Sequence, residues 1–173
     1  MFAQKTTELL RRIRRYKSIG YNVLVINHKS DTRYGTDCVA SHDHVLEHAV
    51  AVEKVQEVDA MVRSGEYRVI AIDEGQFFGD LYEYVTVWAD TLPVHIVVAG
   101  LDGTSTRTPF GDILRLIPHA EEVERLSAFC ALCKDGTVAN FSRYIGQIVS
   151  EDGVLVGAAE SYQPVCRKHF NAT

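Results

Sequence analysis

Three short apolar runs constrain the fold more than any other feature of this chain: NVLVIN (Asn22 to Asn27), RVIAIDE (Arg68 to Glu74) and VHIVVAG (Val94 to Gly100). Each is rich in β-branched residues and continuous rather than alternating. A strand with one wet face alternates; a strand covered on both faces reads this way. Helical stretches lie between and before these runs. Thr6 to Tyr16 places Leu9, Leu10 and Ile13 on one side and Arg11, Arg12, Arg14 and Arg15 around the rest. Further helical stretches run from about Lys54 to Ser64 and from about Leu81 to Thr91. Strands alternating with helices predict an α/β fold, a parallel sheet with helices on both faces.

The character changes near Leu126. Beyond it the sequence has turns, short strand-like pieces and a turn signal at Glu151-Asp152-Gly153, but no long helical pattern. The expected organisation is an α/β domain over residues 1–126 and a small lobe over 127–173. A chain of 173 residues with 46% hydrophobic and 24% charged residues has the composition of a soluble globular protein. A net charge of −5 speaks against a general nucleic-acid coat. No apolar run approaches the roughly 18 residues of a membrane span. The first residues are polar and basic, unlike a secretory signal, so the expected location is cytoplasmic.

Cys130-x-x-Cys133 and Cys166-x-x-His169 are two short ligand pairs within the small lobe. Tetrahedral zinc takes four N or S ligands, and each turn of this spacing supplies two. The set fits a closed structural Zn²⁺ site, which would supply folding energy that so small a lobe cannot gain by burial. The competing reading is a redox C-x-x-C, but no strand-to-helix pattern surrounds it. Cys38 is left as a lone thiol.

Asp73-Glu74 comes straight off an apolar strand, where phosphate-loop enzymes hold a Mg²⁺-organising carboxylate. Glu74 beside it is placed to take a proton from a hydroxyl. Lys5-Thr6 heads the first helix, as in the end of the pattern G-x-x-x-x-G-K-[ST]. Lysine would neutralise phosphate oxygens and threonine would ligate Mg²⁺. The residue before the lysine is Gln4 instead of glycine, and the pattern's first glycine falls ahead of Met1. The loop therefore reads as truncated and altered. The run RRIRRYK (Arg11 to Lys17) reads as a solvated helix face.

Together these segments resemble the type II, zinc-containing thymidine kinases over essentially the whole chain. MFAQKTTELLRRIRRY is similar to that family's phosphate loop and first helix. KSDTRYGTDCVASHD, AIDEGQFF, GLDGTSTRTPFGDILRLIPHAEEVERLSAFCALC and GAAESYQPVCRKH resemble its later motifs in order. The resemblance implies a RecA-like P-loop sheet whose first strand is missing here, plus a zinc lobe carrying a lasso loop. It implies transfer of the γ-phosphoryl of ATP to the 5′-hydroxyl of thymidine. Lys5, Thr6, Arg33 and Asp73 would serve ATP and Mg²⁺, and Glu74 would be the general base. Phe77, Leu101 and Phe110 would line the thymine pocket, with Tyr162 and the backbone at Gly157 closing the lasso. A homo-tetramer or homo-dimer is implied, with no membrane or nucleic-acid partner expected. Ser105, Asn140 and His169 depart from common family residues at their positions. Two other readings compete: a non-catalytic relative acting as a structural or regulatory partner, on the strength of Gln4, and a DNA-handling ATPase, on the strength of DEGQ.

Overall fold

Each of the three apolar runs is a strand, and alternate residues along them feed two separate cores. The computed structural model describes residues 2–31, 38–40, 46–146 and 161–172, with only the backbone of 38–40 and 46. The elements in order are α1 (Lys5–Ser18), β1 (Val23–His28), β2 (Cys38–Ala40), β3 (Leu46–His48), β4 (Val50–Val52), α2 (Asp59–Arg63), β5 (Val69–Ile72), α3 (Leu81–Thr91) and β6 (His95–Val98). They are followed by β7 (Ala128–Phe129), β8 (Val138–Ala139), β9 (Phe141–Tyr144), β10 (Tyr162–Val165) and α4 (Arg167–Asn171).

The main sheet has the order β4-β1-β5-β6, and all three of its pairings are parallel. Alternate residues of β1 and β5 face opposite ways, so Leu24, Ile26, Ile70 and Ile72 join one core and Val25 and Ala71 the other. The first core receives Val55, Val58, Val62, Leu81, Val85 and Trp88 from the α2 and α3 side. The second receives Leu9, Leu10 and Ile13 of α1, as the sequence periodicity predicts. All four residues of β5 are fully buried. β6 is different: among the described strands it pairs on one side only, and none of its residues is fully buried.

The stretch expected as one helix from about Lys54 to Ser64 is instead a 3₁₀ turn, Val55–Val58, running into the short α2. The Asp80 carboxylate accepts the N–H groups of Val55 and Gln56 at 3.1 and 3.0 Å, and Glu57 accepts those of Glu53 and Lys54 at 2.9 Å. These side-chain acceptors hold a tight first turn that the β-branched valines do not extend into a regular helix. A second 3₁₀ segment, Ile113–His119, carries no clear sequence signal. The α1 charge run is largely exposed. Glu8 accepts from Arg11 and Arg12, Arg12 also reaches Glu122 at 2.7 Å, and Lys17 pairs with Glu47. Together Arg11 and Arg12 bring the Glu8 carboxyl down to about 2.

The chain divides into two compact units. One comprises Lys5–Asp102 and Phe110–Val123 and holds the main sheet; the other comprises Met1–Gln4, Gly103–Pro109 and Glu124–Thr173. The second unit has the antiparallel pairs β7-β8 and β9-β10 around a small core of Ala128, Cys130, Ala139, Val165 and Cys166. Arg107 stacks over the Phe170 ring at 4.6 Å, and Arg167 over Phe141 at 4.9 Å. The turn expected at Glu151-Asp152-Gly153 lies outside the described residues. Among those described, no helix is long and apolar enough to cross a membrane.

Candidate functional site

The buried strand β5 delivers Asp73 to its C-terminal end, between its neighbours. Asp73 N–H donates to the Ile26 carbonyl at 2.9 Å, and Gly75 N–H to the Ala99 carbonyl at 2.9 Å. The segment 73–75 is thereby pinned to β1 on one side and to the end of β6 on the other. Asp73 is 1% exposed. Thr6 Oγ1 donates to Asp73 Oδ2 at 2.8 Å, and Glu74 N–H donates to Asp73 Oδ1 at 2.9 Å. Burial, reinforced by the neighbouring Glu74 charge, pushes the Asp73 carboxyl up to about 6. The Thr6 hydroxyl, the Glu74 N–H and the Lys5 charge pull the other way without cancelling it.

The helix start thus meets the strand-end carboxylate. The Thr6 hydroxyl is turned to Asp73, not spent capping α1. Immediately before it, Gln4 has φ of 57° and Phe2 has φ of 58°. A side-chain-bearing residue in this left-handed region costs about 1 kcal/mol that glycine would not. Gln4 therefore adopts a backbone conformation in which a glycine would be unstrained.

Glu74 also has a left-handed backbone, φ 50°, and is 8% exposed. Its Oε2 accepts Gln76 Nε2–H at 2.6 Å, and Gln76 Oε1 accepts the Leu101 N–H at 2.9 Å. Phe77 lies half-buried beside these groups. Its ring meets Phe110 edge-on, centroids 5.5 Å apart, and His28 at 5.5 Å. His28 also contacts Phe78 at 4.8 Å and accepts the Ser30 N–H on Nδ1 at 3.1 Å. Burial holds its imidazole below the usual range, against the charges of Glu53, Asp80 and Glu57.

Lys5, Thr6, Asp73, Glu74, Phe77, Leu101 and Phe110 all belong to the sheet unit. Tyr162 belongs to the other unit, on β10, with its ring 5.3 Å from Tyr144. Arg33 and Gly157 lie outside the described residues, as does the side chain of Cys38. Sequence reasoning missed Gln76 and His28. A buried glutamine inside DEGQFF and a histidine ending an apolar strand carry no signal until their neighbours are known.

The second unit contains the metal centre. The ligand atoms of Cys130, Cys133, Cys166 and His169 all lie within 4.8 Å of one another. His169 Nδ1 is 3.4, 3.3 and 3.5 Å from the three sulfurs in turn, and Cys133 Sγ is 3.8 Å from Cys166 Sγ. Zn–S bonds of about 2.3 Å and a Zn–N bond of about 2.0 Å at tetrahedral angles put sulfurs roughly 3.8 Å apart and nitrogen roughly 3.5 Å from each sulfur. The four groups fit a closed tetrahedral Zn²⁺ site. Burial opposes ionisation of Cys130, yet backbone hydrogen bonds at Cys166, Cys133 and Leu132 bring its thiol down to about 6. Burial, with the neighbouring Cys130 and Cys166 sulfurs, pushes the Cys133 thiol the other way, up to about 11, so ionisation of the whole cluster depends on the metal itself.

Comparison with known proteins agrees with this geometry. The family described as Thymidine kinase matches residues 1–170. A thymidine kinase of Yaba monkey tumor virus is 41% identical over 167 residues, covering 96% of this chain and 88% of its own. That of myxoma virus (strain Uriarra) is 40% identical over 171 residues, covering 98% and 91%. That of vaccinia virus (strain Ankara) is 39% identical over 170 residues, covering 98% and 92%. A match of this length and identity, over a chain with a Cys₃His cluster, means that the chain belongs to the thymidine kinase family.

Proposed function

We propose that this protein is an ATP-dependent thymidine kinase whose Lys5-Thr6 helix start, Asp73 and Glu74 form the phosphoryl-transfer site. The observation that carries the reading is the Thr6–Asp73 hydrogen bond with Glu74 next in sequence. It puts a helix N-terminus, a hydroxyl and two carboxylates at one end of the sheet, as phosphoryl transfer requires.

Lys5 neutralises charge on the ATP phosphates. Thr6 and Asp73 would hold Mg²⁺, which would neutralise charge on the ATP phosphates. Glu74 accepts the proton of the thymidine 5′-hydroxyl as that oxygen bonds to the γ-phosphorus. The bond from the γ-phosphorus to the β–γ bridging oxygen breaks, ADP leaves, and the other product is dTMP. Arg33 is assigned to the transferring phosphate. Phe77, Leu101 and Phe110 are assigned to the thymine pocket, with Tyr162 and the Gly157 backbone closing a lasso loop over it. Aromatic walls with a few backbone donors and acceptors suit a base of this size.

The finer organisation belongs to the same proposal. Residues 1–126 form the P-loop nucleotide-binding domain and 127–173 the zinc and lasso lobe. The phosphate loop is an altered one, with Gln4 at its glycine position. A further strand of the RecA-like sheet would pair with the open side of β6, whose half-exposed apolar residues suit a neighbour. The protein works as a cytoplasmic homo-oligomer, without membrane or nucleic-acid partners. A second reading, a non-catalytic relative that assembles with an active subunit, is favoured by one observation, the side chain at Gln4 with its left-handed backbone.

The deciding experiment is phosphoryl transfer from MgATP to thymidine by zinc-loaded protein, with Glu74→Gln as control. Turnover that vanishes in the control supports the kinase. A folded, zinc-loaded protein without turnover supports the non-catalytic reading.

A further inference from the structure

We propose that Gln76 is a positioning residue that fixes the Glu74 carboxylate and ties it to the backbone at Leu101, so that base recognition and hydroxyl activation share one rigid connection. The inference rests on the reading of Glu74 as general base and of Leu101 as part of the thymine pocket.

Gln76 is 3% exposed, and both ends of its amide are used. Nε2 donates to Glu74 Oε2 at 2.6 Å, and Oε1 accepts the Leu101 N–H at 2.9 Å. The amide orientation is unambiguous, because an ionised carboxylate only accepts and a backbone N–H only donates. A glutamine that merely filled space would be replaceable by an apolar side chain of similar volume. This one is held by charge-assisted and backbone partners in a buried setting, where such bonds are directional and their loss is costly.

The surrounding backbone is built around it. A Cβ added to Gly100 would lie 2.6 Å from Gln76 Oε1, and one added to Gly111 would overlap the Gln76 carbonyl oxygen. Two glycines from different segments are thus required for the close approach to one residue. On the other side, Glu74 holds a left-handed backbone while its carbonyl accepts the Phe77 N–H at 3.0 Å. Strain of this kind persists where neighbours over-determine the conformation. Glu74, Gln76 and Leu101 form a chain of two hydrogen bonds from the proposed base to the proposed pocket wall. Rotation of the carboxylate away from the substrate would break the first; displacement of the wall would break the second.

Two substitutions separate the halves of this connection. Gln76→Glu keeps an acceptor for Leu101 and puts an acceptor where the donor to Glu74 stood. Its kcat should fall about a hundredfold while the KM for thymidine stays within about threefold of the unmodified protein. Gln76→Met removes both bonds, so kcat should fall and the KM for thymidine should rise as well. The KM for ATP should hold in both. Combining either change with Glu74→Gln should cost no more than Glu74→Gln alone, because Gln76 acts through that carboxylate. A Gln76→Glu protein with kcat within threefold of the unmodified one would overturn the proposal. So would a double variant slowed by the full product of the single effects, which is what a merely structural role produces. If Gln76→Met fails to fold, Gln76→Glu alone and in the Glu74→Gln background decides the matter. Full activity in Glu74→Gln itself would instead overturn the general-base reading, a separate result.

Discussion

Thr6 and Asp73 are 67 residues apart in sequence, yet the threonine hydroxyl donates to the aspartate carboxylate at 2.8 Å. This bond joins the start of α1 to the end of β5. Under the proposed mechanism these two oxygens would serve a cation that also needs phosphate oxygens, as Mg²⁺ does. Thr6→Ser should therefore keep most activity. Thr6→Val should lower kcat/KM for MgATP by roughly 10–100-fold and leave thymidine KM nearly unchanged. Steady-state kinetics at several Mg²⁺ concentrations would check this, and equal activity of the valine and serine variants would remove Thr6 from the metal site.

The elevated Asp73 carboxyl makes a prediction about stability and pH. Its value of about 6 lies above its ordinary 3.8. A carboxyl raised on folding stabilises fully below its unfolded value and loses that contribution as pH rises through the folded one. Asp73→Asn, which removes the buried charge but leaves one acceptor oxygen for the two donors, the Thr6 hydroxyl and the Glu74 N–H, should therefore gain stability relative to the unmodified protein as pH rises toward 8 without Mg²⁺. This pH-dependent gain should be about 1–3 kcal/mol between about pH 4 and about pH 8, on top of a pH-independent cost for the amide N–H₂ that meets one of those donors. Paired denaturant titrations at each pH expose the difference, since any loss of zinc affects both proteins alike. A constant difference across this range would mean that Asp73 ionisation does not govern it.

Among the described residues, the unit holding the Cys₃His cluster has a core of five buried residues, two of them in the cluster. A metal crosslink there is expected to contribute stability that burial cannot. The protein should carry about one zinc per chain by elemental analysis, and Cys133→Ser should abolish it. Chelation should strip protection from amide exchange across β7–β10 first, while β1 and β5, buried and paired on both sides, keep theirs. His169→Cys should retain the metal, since the tetrahedral site accepts either donor. Uniform loss of protection across both units would contradict a local role for the metal.

How much of this was legible in the sequence follows from what each residue depends on. β1, β5 and β6 were readable because continuous β-branched runs have one economical use, a parallel strand covered on both faces. Leu9, Leu10 and Ile13 announced their face through helical spacing. The four metal ligands were readable because two-residue gaps constrain geometry locally. The 3₁₀ turn at Val55–Val58 was not, since its shape depends on Asp80, a distant acceptor. Nor was the role of Gln76: its importance lies in Leu101, Gly100 and Gly111, which reach it only through the topology. That β6 pairs on one side only among the described strands likewise appears only once strand order is known, because its sequence resembles that of its neighbour β5, paired on both sides.

Gln4 offers the sharpest test of the proposed phosphate loop. Its φ of 57° is a conformation that glycine adopts without strain and a side chain adopts at about 1 kcal/mol. Gln4→Gly removes that strain but gives the unfolded chain more freedom, so the two effects on stability oppose each other. The net change should be under about 1 kcal/mol, and no large shift in melting temperature is expected. Function is a different matter, because a loop that cradles phosphate does so with backbone N–H groups at close range. Removing the side chain should lower the KM for ATP severalfold and leave the KM for thymidine alone, measured by varying each substrate at saturation of the other. If Gln4→Gly changes neither constant in an active protein, the side chain does not obstruct the phosphates. If it creates turnover in a protein otherwise inactive, Gln4 is what separates this chain from a working kinase.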